Sequence, residues 1–145
     1  MTLQPCTYAS EQRRQRTILL VEDEPFVREA TRGILEHAGF EVLPAEDALE
    51  AMKVYEECKR PIDLVMTDMV LPGRTGWQLG QDLRQRSPEV KVLVTSGYGN
   101  AECGTEEPES RTYFLAKPYS RRGLVEKIEK ILGGMPLRRA ATQAG

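Results

Sequence analysis

The chain is 145 residues long, with 20 Lys and Arg against 22 Asp and Glu and 40% hydrophobic residues, the range of one soluble domain with a single core. Its longest apolar runs, such as Ile18 to Val21 and Val92 to Val94, fall far short of the roughly 20 residues that span a bilayer, and the opening MTLQPCTYASEQRRQR lacks the hydrophobic stretch of a secretory signal, so a cytoplasmic chain with no membrane association is expected. Setting aside Glu11 and the terminal bases Arg13, Arg14, Arg16, Arg138 and Arg139 leaves 15 bases and 21 acids between Thr17 and Gly133, a charge near −6 that argues against direct nucleic-acid binding, which rests on clustered Lys and Arg.

Residues 1–16 read as a basic N-terminal tail. Thr17 to Val21 (TILLV) is a β-branched and aliphatic run that stops at Glu22, Asp23, Glu24 and Pro25, the pattern of a buried strand followed by a helix with Pro in its first turn. Phe26, Val27, Ala30, Ile34, Leu35 and Ala38 recur at helical spacing up to Gly39, which fits a C-terminal cap, and His37 suits the helix end. Glu41 to Pro44 is a second strand, and Ala48, Leu49, Met52 and Tyr55 mark a second amphipathic helix ending before Pro61, with Cys58 as a small buried hydrophobe. Asp63 to Thr67 (DLVMT) is the third strand, followed by Asp68, a loop with Pro72, Gly73 and Gly76, and a helix carrying Trp77, Leu79 and Leu83. Lys91 to Thr95 is the fourth strand. Thr112 to Ala116 (TYFLA) is the fifth, followed by Lys117, Pro118 and a helix with Leu124, Val125, Ile128, Ile131 and Leu132 that closes at Gly133 and Gly134. Gly97, Gly99, Gly104 and Pro108 interrupt the fourth crossover, so a fourth helix there is expected to be irregular or short. Residues 134–145 are expected to be a flexible C-terminal tail.

Apolar strands alternating with amphipathic helices indicate an α/β fold: a small doubly wound, five-stranded parallel sheet with about five helices, buried on both faces. Cys6, Cys58 and Cys103 are odd in number and widely spaced, and His37 is the lone histidine, so neither a disulfide framework, a zinc site nor a catalytic triad has its parts.

In such sheets the working groups lie just past the carboxyl ends of the strands. Those positions hold Glu22 and Asp23 after the first strand, Asp68 after the third, Ser96 after the fourth and Lys117 after the fifth. Three converging carboxylates repel one another unless a cation neutralises them, and an all-oxygen set suits Mg²⁺. A hard ion with an ammonium and a hydroxyl beside it favours a phosphoryl group, and a carboxylate can itself be the nucleophile. Asp68 stands alone at a strand end and is the best candidate, whereas Glu22 and Asp23 form an adjacent pair suited to holding the ion. Taken singly each residue has a plain explanation: Asp23 as a helix N-cap, Lys117 as a solvated base, Ser96 as a turn residue. Their joint placement at four strand ends is what favours a site.

The motifs ILLVEDEP, LVMTDMVLPGRTG, VLVTSGYG and FLAKPY, in this order between Thr17 and Gly133, resemble the response-regulator receiver domains of two-component signalling. The resemblance implies a flavodoxin-like strand order 2-1-3-4-5 in a receiver domain of residues 17–133. It implies Asp68 as phosphoacceptor, Asp23 as a direct Mg²⁺ ligand, Glu22 acting through a bound water, and the backbone carbonyl of Val70 completing the protein ligands. Lys117 would contact the phosphoryl oxygens, Ser96 would be the switch hydroxyl and Phe114 the switch aromatic. The chain would not be an enzyme in its own right but would promote its own phosphorylation and slow dephosphorylation. Its partners would be a sensor histidine kinase or histidine phosphotransfer protein and a downstream protein, with a homodimer possible. The Ser96-Gly97-Tyr98-Gly99 variant resembles receivers joined to hybrid histidine kinases, and the Gly-rich, acidic 97–111 stretch departs from the usual fourth helix. Two alternatives stand beside this one: a receiver-shaped scaffold that is not phosphorylated, and a flavin or nucleotide binder of the same topology. The second lacks a donor-rich loop after the first strand, where Glu22, Asp23 and Glu24 place anions instead.

Overall fold

The computed structural model describes residues 15–97 and 111–133. In chain order the elements are β1 (Thr17–Val21), α1 (Pro25–His37), β2 (Glu41–Ala45), α2 (Ala48–Glu57), β3 (Leu64–Asp68), β4 (Val70–Leu71), β5 (Arg74–Thr75), α3 (Gly76–Arg86), β6 (Val92–Ser96), β7 (Thr112–Ala116) and α4 (Arg121–Leu132). The main sheet is parallel throughout and runs β2-β1-β3-β6-β7, while β4 and β5 pair as a separate antiparallel hairpin turned at Gly73, whose φ of +75° favours glycine. Counting only the main sheet, this is the expected 2-1-3-4-5 order. Four α-helices lie among the described residues, and the interrupted fourth crossover and both tails lie outside them.

Alternation along the strands sorts the core into two layers. Leu19, Val21, Val65, Val92 and Val94 face Ala48 and Ala51 of α2 and Leu79 and Leu83 of α3. Ile18, Leu20, Leu64, Met66 and Leu93 face Leu35 of α1 and Leu124, Ile128 and Ile131 of α4. Each of the large aliphatic side chains buried here contributes about 1.5–3 kcal/mol relative to exposure, so the central strands are held mainly by burial on both faces.

Local chemistry sets the helix ends. Pro25 occupies the first turn of α1, Asp47 caps α2 by accepting from the Glu50 amide at 2.8 Å, and Thr75 and Gln78 form a capping box on α3. Ser120 accepts from the Gly123 amide at 2.8 Å to cap α4, which ends on Gly133 at a φ of +64°.

Several sequence expectations shift. Three strands end one residue later than expected, at Ala45, Asp68 and Ser96, because the parallel ladders continue through those residues. Asp68 and Ser96 are therefore terminal strand residues rather than the first residues of the loops. The inward stripe of α1 is Thr31, Ile34, Leu35 and Ala38, whereas Phe26 is 84% exposed and Val27 and Ala30 are also exposed. On α2 the buried residues are Ala48 and Ala51, and Leu49, about 100° around the helix from Ala48, is 80% exposed. Cys58 is half-buried and follows the last turn of α2 rather than packing within it.

Candidate functional site

The carboxyl ends of β1, β3, β6 and β7 meet at one rim. β1 delivers Glu22, whose amide donates to the Ala45 carbonyl at 3.0 Å, continuing the pairing with β2 past the strand end. Asp23 follows and is exposed; it is not the cap of α1, since Glu24 holds that position without a side-chain bond, so capping does not account for Asp23. Asp68 is half-buried at the end of β3. Oxygen atoms of Glu22, Asp23 and Asp68 all lie within 4.8 Å of one another, a spacing that fits a divalent cation with carboxylate ligands.

Lys117 follows β7, and its amide donates to the Ser96 carbonyl at 2.8 Å, extending the β6–β7 ladder. Its ammonium lies 3.5 Å from Asp68 Oδ2 and 4.0 Å from Glu22 Oε1. Burial pushes the Glu22 carboxyl above its ordinary pKa, and the Asp68 and Asp23 charges add to the shift. The Glu24 amide, bonded to Glu22 Oε2 at 3.1 Å, and the Lys117 ammonium oppose it. Among the described residues the Lys117 ammonium is the cation in ion-pair contact with this acidic trio, with Arg28 bonded to the Glu22 backbone carbonyl at 2.8 Å; a hard cation would offset the remaining negative charge, and the donors are all oxygen.

Ser96 is buried at the end of β6, with Asp68 paired to its neighbour Thr95 in the ladder. Val70 opens the β4–β5 hairpin beside Asp68 and is 70% exposed. Phe114 lies on β7 and stacks on Trp77 of α3, with ring centroids 6.3 Å apart and planes 10° from parallel. Every residue assigned to a site from the sequence therefore belongs to this rim or to the strand that leads into it.

Three supporting residues were not legible as such. A Cβ on Gly76 would lie 2.2 Å from the Asp68 carbonyl oxygen, so only glycine lets α3 start against the end of β3. Tyr119 is bonded to Thr31 of α1 and tied to the apolar layer beneath, with its phenol pushed up by burial. By periodicity Trp77 is only an apolar residue of the third helix, and its ring pairs with Phe114. These pairings join distant segments, and neither periodicity nor motif spacing carries such information.

The response regulator receiver domain model matches residues 18–129. The chain is 33% identical over 117 residues to the sensor kinase CckA of Brucella abortus (strain 2308), covering 80% of this chain and 12% of that protein. It is 30% identical over 118 residues to the response regulator receiver protein CpdR of the same organism, covering 81% of this chain and 97% of CpdR. It spans about half or less of the length of other curated relatives it matches. Among solved structures, the response regulator TrrA of Thermotoga maritima, in complex with Mg(2+)-BeF, superimposes with a TM-score of 0.69 at 26% identity, covering 81% of this chain and 99% of TrrA. The family match over the folded segment, together with the five-stranded sheet and its acidic rim, makes this chain a member of the response regulator receiver domain family.

Proposed function

We propose that the chain is a phosphoacceptor of a two-component phosphorelay, in which Mg²⁺-dependent phosphorylation of Asp68 switches its binding to a downstream protein. The observation that carries this reading is the Lys117 ammonium 3.5 Å from Asp68, inside a carboxylate set spaced for a metal. An Asp68 carboxylate oxygen attacks phosphorus, a new O–P bond forms as the N–P bond of a phosphohistidine breaks, and the imidazole leaves with the bonding pair. Lys117 stabilises charge on the transferring oxygens. Ser96 and Phe114 respond to the new group as switch residues. Asp23 would ligate Mg²⁺ directly, Glu22 through a water, and Val70 through its carbonyl; the bound ion would offset the negative charge of the acids and of the phosphoryl group. The similar TrrA was crystallised with Mg(2+)-BeF, which supports the same ion here. The chain promotes its own phosphorylation and slow dephosphorylation and turns over no separate substrate.

The phosphodonor is a histidine kinase or a histidine phosphotransfer protein. The large exposed apolar residues among those described sit in the first turns of α1 and α2 (Phe26, Val27 and Leu49) and on the β4–β5 hairpin (Val70), at the acidic end of the sheet, which suits a protein donor that covers the rim. Among the described residues no helix is long and apolar enough to cross a membrane.

Intact-mass measurement after acetyl phosphate and Mg²⁺ tests the proposal. One added phosphoryl mass is expected, lost in Asp68→Asn and on chelation of the metal. A mass gain that survives Asp68→Asn would move the acceptor elsewhere, and no gain in the parent protein would leave a receiver-shaped scaffold.

A further inference from the structure

We propose that Trp77 is a positioning residue that couples the state of Asp68 to Phe114, a role that rests on the phosphoacceptor reading above. Two physical routes connect these residues. The first runs through the backbone at the start of α3. Gly76 is so close to β3 that an added Cβ would lie 2.2 Å from the Asp68 carbonyl oxygen and 3.0 Å from Thr67 Cγ2, and its amide donates to the Met69 carbonyl at 2.7 Å. Trp77 is the next residue, in a first turn held by the Thr75–Gln78 capping box. Its ring lies nearly parallel to that of Phe114, 10° apart in plane and 6.3 Å between centroids.

The second route runs through Lys117, whose ammonium is 3.5 Å from Asp68 Oδ2 and whose amide is fastened to Ser96. Phe114 lies three residues before Lys117 on β7, paired with Val94 in the ladder. The two routes close on the aromatic pair. New charge on Asp68 draws the Lys117 ammonium, and bulk added there bears on a backbone already in contact with Gly76; close-packed interiors transmit such shifts rather than absorb them. Offset rings change their overlap with small lateral motion, so the pair registers both routes at once.

Trp77 is the sole tryptophan of the chain, so its emission reads the pair directly. The probe is beryllofluoride with Mg²⁺, with binding followed independently by the fluorine-19 resonance of the bound species. Trp77 emission is expected to change with the same half-saturation as the fluorine signal. Phe114→Leu is expected to keep the fluorine signal and lose at least half of the emission change, whereas Phe114→Tyr, which keeps a ring, retains it. Bound beryllofluoride with unaltered Trp77 emission, or an equal change in Phe114→Leu, overturns the coupling. The reciprocal measurement needs no change at Phe114: its ring-proton shifts respond to beryllofluoride in the parent, and an undiminished response in Trp77→Leu also overturns the coupling. Absence of a bound fluorine resonance in the parent overturns the phosphoacceptor reading itself, and the coupling with it.

Discussion

A methyl group at Gly76 would collide with the Asp68 carbonyl oxygen at 2.2 Å, and because the obstacle is backbone, relief requires moving β3 or α3. Gly76→Ala is therefore expected to destabilise the fold by about 1–3 kcal/mol, the usual range for overpacking, and to impair phosphorylation at Asp68. Gly80→Ala offers the internal comparison: its nearest obstacle is a Val92 methyl at 3.3 Å, which can give by a rotamer or a small shift. Urea denaturation of both variants, with acylphosphate yield measured alongside, separates them, and equal midpoints would count against the close approach as the cause. On the phosphoacceptor reading Val70 would bear on a different step. Its exposed aliphatic side chain beside Asp68 cannot hydrogen-bond an attacking water, so Val70→Asn is expected to shorten the lifetime of the phosphorylated form several-fold, followed as loss of phosphoryl mass with time. An unaltered decay rate would remove that explanation.

Between elements, the loop from β7 to α4 carries Lys117 and is pinned by Tyr119, whose phenol is hydrogen-bonded to Thr31 on the buried face of α1. Tyr119→Phe keeps the apolar contact and removes one buried bond, a loss of about 1 kcal/mol. Thr31→Val removes the same bond from the other side, and the double variant is expected to cost less than the sum of the two, measured as a thermal double-mutant cycle. Additive losses would mean the two hydroxyls do not act as a pair. The Tyr119–Thr31 tie also marks the boundary of what the sequence could reveal. The alternation of strands and helices and the burial of the sheet on both faces were readable because TILLV, DLVMT, KVLVT and TYFLA are short apolar runs separated by amphipathic helices, whereas the strand order followed from the family resemblance. Glu22, Asp23, Asp68, Ser96 and Lys117 were readable because strand ends are special positions in such sheets. Phe26 and Leu49 entered the apolar helical pattern yet are exposed, because an apolar residue in a first turn fits helical periodicity whether or not the sheet extends beneath it. Thr31 and Trp77 gained their roles from contacts between segments distant in the chain, and Gly76 from the close approach of α3 to the end of β3, neither of which a single-segment pattern encodes.

Across the whole molecule, charge is divided between the two ends of the sheet. Away from the site several bases are matched: Arg60 pairs with Glu41, Arg86 with Glu56, and the Lys91 ammonium donates to the carbonyl of Ile131 at 3.0 Å, in the last turn of α4, where a cation is favoured. At the acidic rim three clustered carboxylates, Glu22, Asp23 and Asp68, meet the Lys117 ammonium beside Glu22 and Asp68 and the Arg28 guanidinium on the Glu22 carbonyl at 2.8 Å. The resulting strain is a pH effect with a definite sign. Glu22 has a folded-state pKa raised above its unfolded value of 4.5, so the folded state holds that proton more tightly. The stability this confers is complete below the unfolded pKa and is lost as pH rises through the folded one. On the proposed reading Mg²⁺ would bind the ionised carboxylates and compete with the proton, so its stabilising effect is expected to be small near pH 4.5 and to grow toward pH 7.5, where an ion at a hundredfold excess over its Kd would add about 2.7 kcal/mol. Thermal unfolding with and without Mg²⁺ at the two pH values measures this. Glu22→Gln removes the buried charge, so it is expected to raise Tm in metal-free buffer at pH 7.5 while reducing the gain from Mg²⁺. A variant that instead loses Tm without metal would show that the bond from the Glu24 amide outweighs the burial of charge.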